Sequence, residues 1–398
     1  MISVDEHLAT VLAAVHPLDL LTVPLAEALG STLRTGVRAA VDLPLFDNSA
    51  MDGFAVRFSD VASASAASPV ALRVVADLPA GSSLDPAFGT GEAVRIMTGA
   101  PLPADADTVV PFEATAGGVT ESLGTVRVRE APRHIGAHIR RRGEDCAAGT
   151  ELVPAGVELG PLQLAAIAAA NVATVTVSRR PRVAVIATGT ELLAPGSELE
   201  RGQIPESNSL LLAALARSAG SDVILQATVQ DVDADLRGAI ADAGARDADA
   251  IITSGGVSAG AFEVVKTAVS EMTFVQVAMQ PGRPQGFAAD PLMFGLPGNP
   301  VSAAVSSEVF VRPALLAMQG RTRIHQRMLR LPAAVGWRSP RGRRQYVPIV
   351  FTDDGVAPAT ERGSHRAGGL ARAEGYAVVP AEVGEVAAGD IVDVMLVS

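Results

Sequence analysis

Two stretches decide how this chain is read: Thr253-Ser-Gly-Gly-Val-Ser-Ala-Gly260 and Gly295-Leu-Pro-Gly-Asn-Pro-Val-Ser302. Each follows a short apolar run, Ala250-Ile-Ile in one case and Leu292-Met-Phe in the other, and each precedes a helical pattern. The order spelled is strand, tight glycine turn, helix N-terminus. The first N–H groups of a helix lack intrahelical partners and lie at the positive end of its dipole, so such a turn cradles phosphate or another oxyanion. On parallel strands the two turns open at one sheet edge, where open α/β sheets bind ligands. A phosphorylated small molecule is the expected ligand.

Outward from these turns the rhythm is regular. Residues 183–187, 223–229, 250–253, 274–279 and 292–296 read as strands, and 209–218, 233–245, 260–272 and 300–318 as helices. Strands alternating with helices of this length predict a parallel, doubly wound sheet. Upstream, Ser3-Val-Asp-Glu6 is a capping box opening a helix that runs to about Val15, and Gly160-Pro161 opens another through Ala170. Between them, short β-prone runs at 71–76, 92–97, 108–112 and 125–128 are broken by Pro and Gly, and the Ala/Ser-rich stretch 59–69 reads as a surface loop. After Arg323 the chain turns β-like again at 346–351, 376–380 and 391–397. The expected fold is therefore multidomain α/β: a central doubly wound α/β domain, a β-rich insert domain and a small C-terminal β-barrel or sandwich. The expected boundaries are 1–41 plus 139–179 for an elongated N-terminal and linking domain, 42–138 for the insert, 180–322 for the α/β domain and 323–398 for the C-terminal domain.

Composition narrows the function. At 398 residues, 48% of them hydrophobic, the chain can bury several cores. A net charge of −11 argues against general nucleic-acid binding. No uninterrupted apolar run reaches the roughly 18 residues of a membrane span. The N-terminus carries Asp5 and Glu6 rather than a basic, then apolar, secretion signal. Cys146 is the single cysteine, which fits a reducing cytoplasm, and Asp145 beside it disfavours a thiolate. Lys266 is the only lysine among 32 basic residues of Lys and Arg type.

If the sheet reading holds, each strand end delivers polar groups to one rim: Thr188-Gly-Thr-Glu191, Gln230-Asp231, Ser254-Gly-Gly followed by Glu263 and Lys266, Gln280-Pro-Gly-Arg283, and Pro297-Gly-Asn-Pro300. Carboxylates beside phosphate cradles suit a hard cation such as Mg²⁺. Capping or solvation alone would also account for Glu191 or Asp231 taken singly. A competing pattern, Gly256-Val-Ser258-Ala-Gly260, matches a serine-hydrolase nucleophile elbow, with His325 or His365 and Asp290 or Asp354 downstream. There is no Walker-type loop and no zinc-ligand cluster. The stretch Arg338, Arg341, Arg343, Arg344 reads as a solvated loop, and the single Trp337 offers no stacking platform for nucleic acid.

Five motifs in order carry a resemblance: Asp47-Asn-Ser-Ala-Met-Asp-Gly53, Met97-Thr-Gly-Ala-Pro101, Arg140-Arg-Arg-Gly-Glu-Asp145, Ser254-Gly-Gly-Val-Ser258 and Gly295-Leu-Pro-Gly-Asn-Pro-Val-Ser302. Over nearly its whole length the chain resembles the MoeA-type molybdopterin molybdenumtransferases, shared with the gephyrin E domain. The resemblance implies a molybdopterin-binding α/β domain in a homodimer, working with an adenylylating enzyme of the MogA type. The implied reaction is the last step of molybdenum cofactor synthesis: adenylylated molybdopterin and molybdate are the substrates, and Mg²⁺ assists release of AMP. Glu191, Asp231 and Glu263 would hold the metal or position water. Asp52, Asp145 and Thr98 would act across the dimer interface. The pterin phosphate and AMP part would be held by Thr188 and Gly189 at the first strand end and by Ser254, Gly255, Gly256 and Ser258 at the first turn. Pro297, Gly298, Asn299, Pro300 and Ser302 would hold it at the second, with Lys266 and Arg283 adding charge. The chain departs from the family pattern at Thr190, where an Asp is common, at Glu263 in place of Asp, and at Gln280 and Arg283 in place of Lys. Two alternatives stay open: a non-catalytic scaffold or substrate-altered paralogue of this fold, and the serine hydrolase at 256–260.

Overall fold

The computed structural model describes residues 1–256, 265, 269–360 and 367–397. Ser258, Glu263, Lys266 and His365, with most of the expected helix 260–272, lie outside the described residues. The chain forms two compact units, one of Met1–Thr35, Pro154–Gly160 and Val175–Ser398, the other of Gly36–Val153 and Pro161–Thr174.

The first unit is built on a six-stranded sheet. Its strands are β1 (Arg182–Thr188), β2 (Asp222–Val229), β3 (Ala250–Ser254), β4 (Thr273–Gln276), β5 (Pro284–Ala289) and β6 (Leu292–Leu296). The spatial order is β2-β1-β3-β6-β5-β4. The first four run parallel, as expected, but β5 and β4 join antiparallel. Only Asp290 and Pro291 separate β5 from β6, and a parallel return needs a crossover of a dozen or more residues. Strands β3 and β6 are buried at every position, as a sheet covered on both faces requires.

Side chains alternate between those faces. Val183, Val185, Ile252 and Phe294 pack against α1 (Asn208–Ser218) and α3 (Pro300–Met318), while Ala184, Ile186, Ile251 and Met293 pack toward α2 (Asp233–Ala245). Each large aliphatic buried this way stabilises by roughly 1.5–3 kcal/mol. By length and hydropathy α3 could cross a membrane, yet 89% of its apolar window is buried inside the protein, so it is a core helix.

The expected capping box is present on the helix Val4–Ala13: Ser3 Oγ accepts the Glu6 N–H and Glu6 reaches back to the Ser3 N–H. That helix joins the C-terminal sheet through Asp5, which pairs with both terminal nitrogens of Arg344 at 2.8 and 2.9 Å. Arg344 is thus no solvated loop residue; the Asp5 carboxylate raises its pKa. The C-terminal sheet orders Arg344–Thr352, Gly375–Val379, Ile391–Leu396 and Met328–Pro332 side by side, and takes a short strand, Met279–Gln280, on its outer edge. Met279 pairs with Arg344 and Gln280 with Gln345 in parallel register. Val4, Met279, Phe310, Tyr346 and Tyr376 share one core, so the α/β layer and the C-terminal sheet are fastened together.

The second unit is a six-stranded sheet ordered Thr108–Pro111, Gly53–Val56, Glu92–Ile96, Val70–Leu78, Thr125–Val128, Thr115–Ala116. The Ala/Ser-rich stretch is less loop-like than expected. It opens as a short helix, Phe58–Val61, and buries Val61 and Ala64 against Phe54, Leu72 and Val126.

Candidate functional site

The parallel strands deliver their C-terminal ends to one rim because they are in register: Ala187 lies opposite Ser254, and Ser254 opposite Leu296. There the first unit opens a cleft of about 990 Å³. Both glycine turns line it, through Ser254, Gly255 and Gly256 on one side and Pro297, Gly298, Asn299, Pro300 and Ser302 on the other. Thr188, Glu191, Asp231 and Arg283 also line it. Gly189 does not, although it adjoins Thr188. The sequence thus locates most of this wall.

Glycine is required in the first turn. Gly255 and Gly256 stand at φ +99° and +64°, in the left-handed region, and a Cβ on Gly255 would lie 2.4 Å from the Thr188 carbonyl oxygen. The second turn leads into α3, with Asn299 as N-cap residue and Pro300 within the first turn, where a missing N–H costs nothing. The two turns touch: a Cβ on Gly298 would stand 3.5 Å from Gly255 Cα. Inside this wall Thr188 is buried and its Oγ1 has no hydrogen-bond partner among the described residues.

Glu191 is exposed and Asp231 half-buried. Thr190, one of the departures from the family pattern, serves Asp231: its N–H donates to Asp231 Oδ2 at 3.4 Å, and its hydroxyl accepts from the Asp231 N–H. Two oxygen-donor carboxylates on a rim with glycine turns fit Mg²⁺, which keeps several waters and is held by one or two carboxylates plus substrate phosphates. No group of three potential ligands occurs among the described residues, and Glu263 lies outside them.

Several lining residues were not singled out from sequence as binders: Glu206, Asn208, Trp337, Arg343 and Gln345. Arg343 and Gln345 reach the cleft because Gln280 forms a ladder with Gln345. Arg343 was expected in a solvated loop and instead is half-buried and lines the cleft, as Arg283 does. No short-range signal marks it, since the pairing spans some sixty residues. Glu206 had a signal, lying just before the helix Asn208–Ser218 as a cap: its Oε1 accepts the Ser209 N–H at 2.7 Å and its Oε2 the Ser209 hydroxyl at 2.6 Å.

Asp52, Thr98 and Asp145 belong to the second unit. Asp52 and Thr98 meet: Asp52 Oδ1 accepts the Thr98 N–H at 2.6 Å and the Thr98 hydroxyl at 2.7 Å, and those bonds hold its pKa below the usual carboxylate value. Gly53 follows because a Cβ there would meet the Val110 carbonyl oxygen at 2.0 Å. The arginine motif folds onto the Asp47 motif, with Arg141 paired to Asp47 at 2.6 Å and Arg142 to Asp42. Asp145 is exposed.

The elbow reading gains nothing. No histidine lines the cleft among the described residues; His325 is exposed beside Asp5, and Ser258 lies outside the described residues. Cys146 is buried, as a structural thiol is.

Comparison with known proteins agrees with this layout. Three family patterns match in order: the MoeA N-terminal region (domain I and II) over residues 2–171, a probable molybdopterin binding domain over 184–317, and the MoeA C-terminal region (domain IV) over 330–397. The chain is 45% identical to molybdopterin molybdenumtransferase 2 of Mycobacterium tuberculosis H37Rv, covering 98% of each. It is 38% identical to the molybdopterin molybdenumtransferase of a Nostoc species, over 75% of this chain and 69% of that one. Among solved structures, a molybdopterin biosynthesis MoeA protein of Pyrococcus horikoshii OT3 superposes with a TM-score of 0.86 at 26% identity, covering 100% of both chains. A second Pyrococcus MoeA structure gives 0.80 at 30%, covering 100% of this chain and 99% of that one.

Proposed function

The chain belongs to the MoeA family of molybdopterin molybdenumtransferases, and from that premise we propose a reaction for its cleft. It is a transferase of molybdenum cofactor biosynthesis. The substrate is adenylylated molybdopterin, molybdate is placed on its dithiolene sulfurs, and AMP is released. The observation that carries this reading is one cleft lined by both glycine turns, the rim carboxylates Glu191 and Asp231, and the arginines Arg283 and Arg343.

The N–H groups at the turns hold phosphate oxygens, and the positive end of α3 adds to that hold. Arg283 and Arg343 supply fixed positive charge for oxyanions, whether phosphate or molybdate. Glu191 and Asp231 are the described residues suited to hold Mg²⁺, with Glu263 as a third candidate. When bound, Mg²⁺ neutralises charge on the phosphoanhydride as it breaks. The backbone N–H of residue 190 keeps the Asp231 carboxylate aimed, and the Thr190 hydroxyl holds the Asp231 N–H. Gln280 in place of Lys removes one cation, so anion affinity should be weaker than in relatives that keep it.

Asp52, Thr98 and Asp145 act on the substrate from a second subunit of a homodimer. Exposed leucines support an oligomer: Leu20 at 55% and Leu29 at 53% in the first unit, and Leu162 at 81% in the second. The substrate must arrive adenylylated, so a MogA-type adenylylating enzyme acts upstream. A single cysteine supports placement in the reducing cytoplasm.

The test is AMP release from adenylylated molybdopterin with molybdate and Mg²⁺ each present or omitted. Release should require both, and the reading is lost if it depends on neither. Asp231→Asn should lower kcat by about 10²–10³, the usual loss for a group that serves the transition state electrostatically. A scaffold member of the family would release no AMP at all, and the retained carboxylates Glu191 and Asp231 favour the enzyme.

A further inference from the structure

We propose that Asn208 is a positioning residue that locks the two glycine turns together and sets the direction of the Ser254 hydroxyl; the proposal rests on the cleft being the phosphate-holding site. Asn208 opens α1 and is only 9% exposed. Its Nδ2 donates to Ser254 Oγ at 2.8 Å and to the Gly298 carbonyl oxygen at 2.6 Å. Gly298 O can only accept, so the amide orientation is fixed by that contact. One –NH₂ group therefore serves both turns with both of its hydrogens.

The mount under Asn208 is firm. Its neighbours Glu206 and Ser209 are buried and joined by two short hydrogen bonds, and Gln226 Nε2 donates to Ser209 Oγ at 3.1 Å. A helix start held this way sets where the amide stands between the turns, whose backbones already meet in a hydrogen bond from the Gly255 N–H to the Leu296 carbonyl oxygen at 3.2 Å.

The consequence for Ser254 is directional. Its oxygen accepts from Asn208, so its single hydrogen cannot point there, and no described residue accepts that hydrogen. The hydrogen is left to donate into the cleft, where a phosphate oxygen is the acceptor this rim recruits. Without the amide, Gly298 O becomes an unpaired acceptor beside the Ser254 hydroxyl and draws its hydrogen away from the substrate. Asn208 thus acts on the substrate through Ser254.

The experiment is a double-mutant cycle on the full chain: wild type, Asn208→Ala, Ser254→Ala and the double variant, each with its thermal midpoint. Should Asn208→Ala lose its fold, Asn208→Ser, which retains one donor, takes its place. In the AMP-release assay each single change should lower kcat/KM about 10- to 100-fold, the range of one hydrogen bond to a charged group. The double variant should fall no further than the weaker single. Wild-type kcat/KM in Asn208→Ala, or losses that multiply in the double variant, would overturn the assignment. Calorimetric titration with inorganic phosphate separates this from failure of the activity itself. The singles and the double should lose phosphate affinity alike, and equal affinity across all four proteins overturns the proposal even where wild type releases no AMP.

Discussion

His7 lies edge-on to Phe310 at 4.7 Å and to Phe287 at 6.3 Å, with 4% of its surface exposed. Burial lowers its pKa from 6.5 to about 4, so it folds neutral. The unfolded chain takes up a proton below pH 6.5 that the folded chain refuses until about pH 4. Stability from this site is complete above 6.5 and falls as pH drops toward 4, by about 3 kcal/mol at most. Urea denaturation at pH 7.5 and 4.5 should show wild type losing more stability than His7→Leu by about that amount, and equal losses would refute the account. Residues of this kind divide in legibility. Gly255 was legible, because a strand-to-helix turn demands a residue free to take positive φ. His7 was not, because a histidine on an apolar helical face does not announce the aromatic rings that will enclose it.

At the element scale α3 was read at its true limits, Pro300–Met318, a largely apolar helical pattern that opens on proline. What the pattern hid is a π-helical turn at Ser307–Val311 carrying a buried charge. Glu308 is 4% exposed; burial raises its pKa while a bond from Gln326 at 2.8 Å and the charge of Arg312 work against the rise. Arg312 Nε stands 3.8 Å away and, with its Nη1, lacks a hydrogen-bond partner among the described residues. In sequence the two look like an ordinary i,i+4 surface pair. Removing one partner of a buried pair strands the other, so Glu308→Leu should cost about 3–5 kcal/mol, and adding Arg312→Met should recover most of it. The midpoints of urea unfolding decide: no recovery in the double variant would mean the cost is packing rather than stranded charge. The antiparallel strand β5 was missed for a different reason. The run Pro284–Ala289 opens on proline, contains Gly286 and ends in two alanines, all of weak β character, although its two-residue link to β6 already forbade a parallel pairing.

At the scale of the whole molecule, the candidate residues fall in both units, with Glu191 and Asp231 in the first and Asp52 in the second. If each site takes groups from two subunits, inactive Asp52→Asn and Asp231→Asn proteins should regain activity when co-refolded. Random pairing into two-fold dimers leaves about a quarter of all sites intact. Activity returning to near that level supports the shared site, and none returning would place all the groups in one subunit. By itself the sequence determined the glycine turns, the helix that the second of them feeds, the acids on their rim and the family, since each is written in contiguous residues whose local chemistry admits few conformations. Tertiary structure alone decided the other wall of the cleft. Arg343 enters it because a two-residue ladder at Met279 and Gln280 captures the C-terminal sheet, and Asn208 ties the turns because α1 begins between them. Both depend on pairings between distant segments, whose register is set by the shared core and not by any residue near them in the chain.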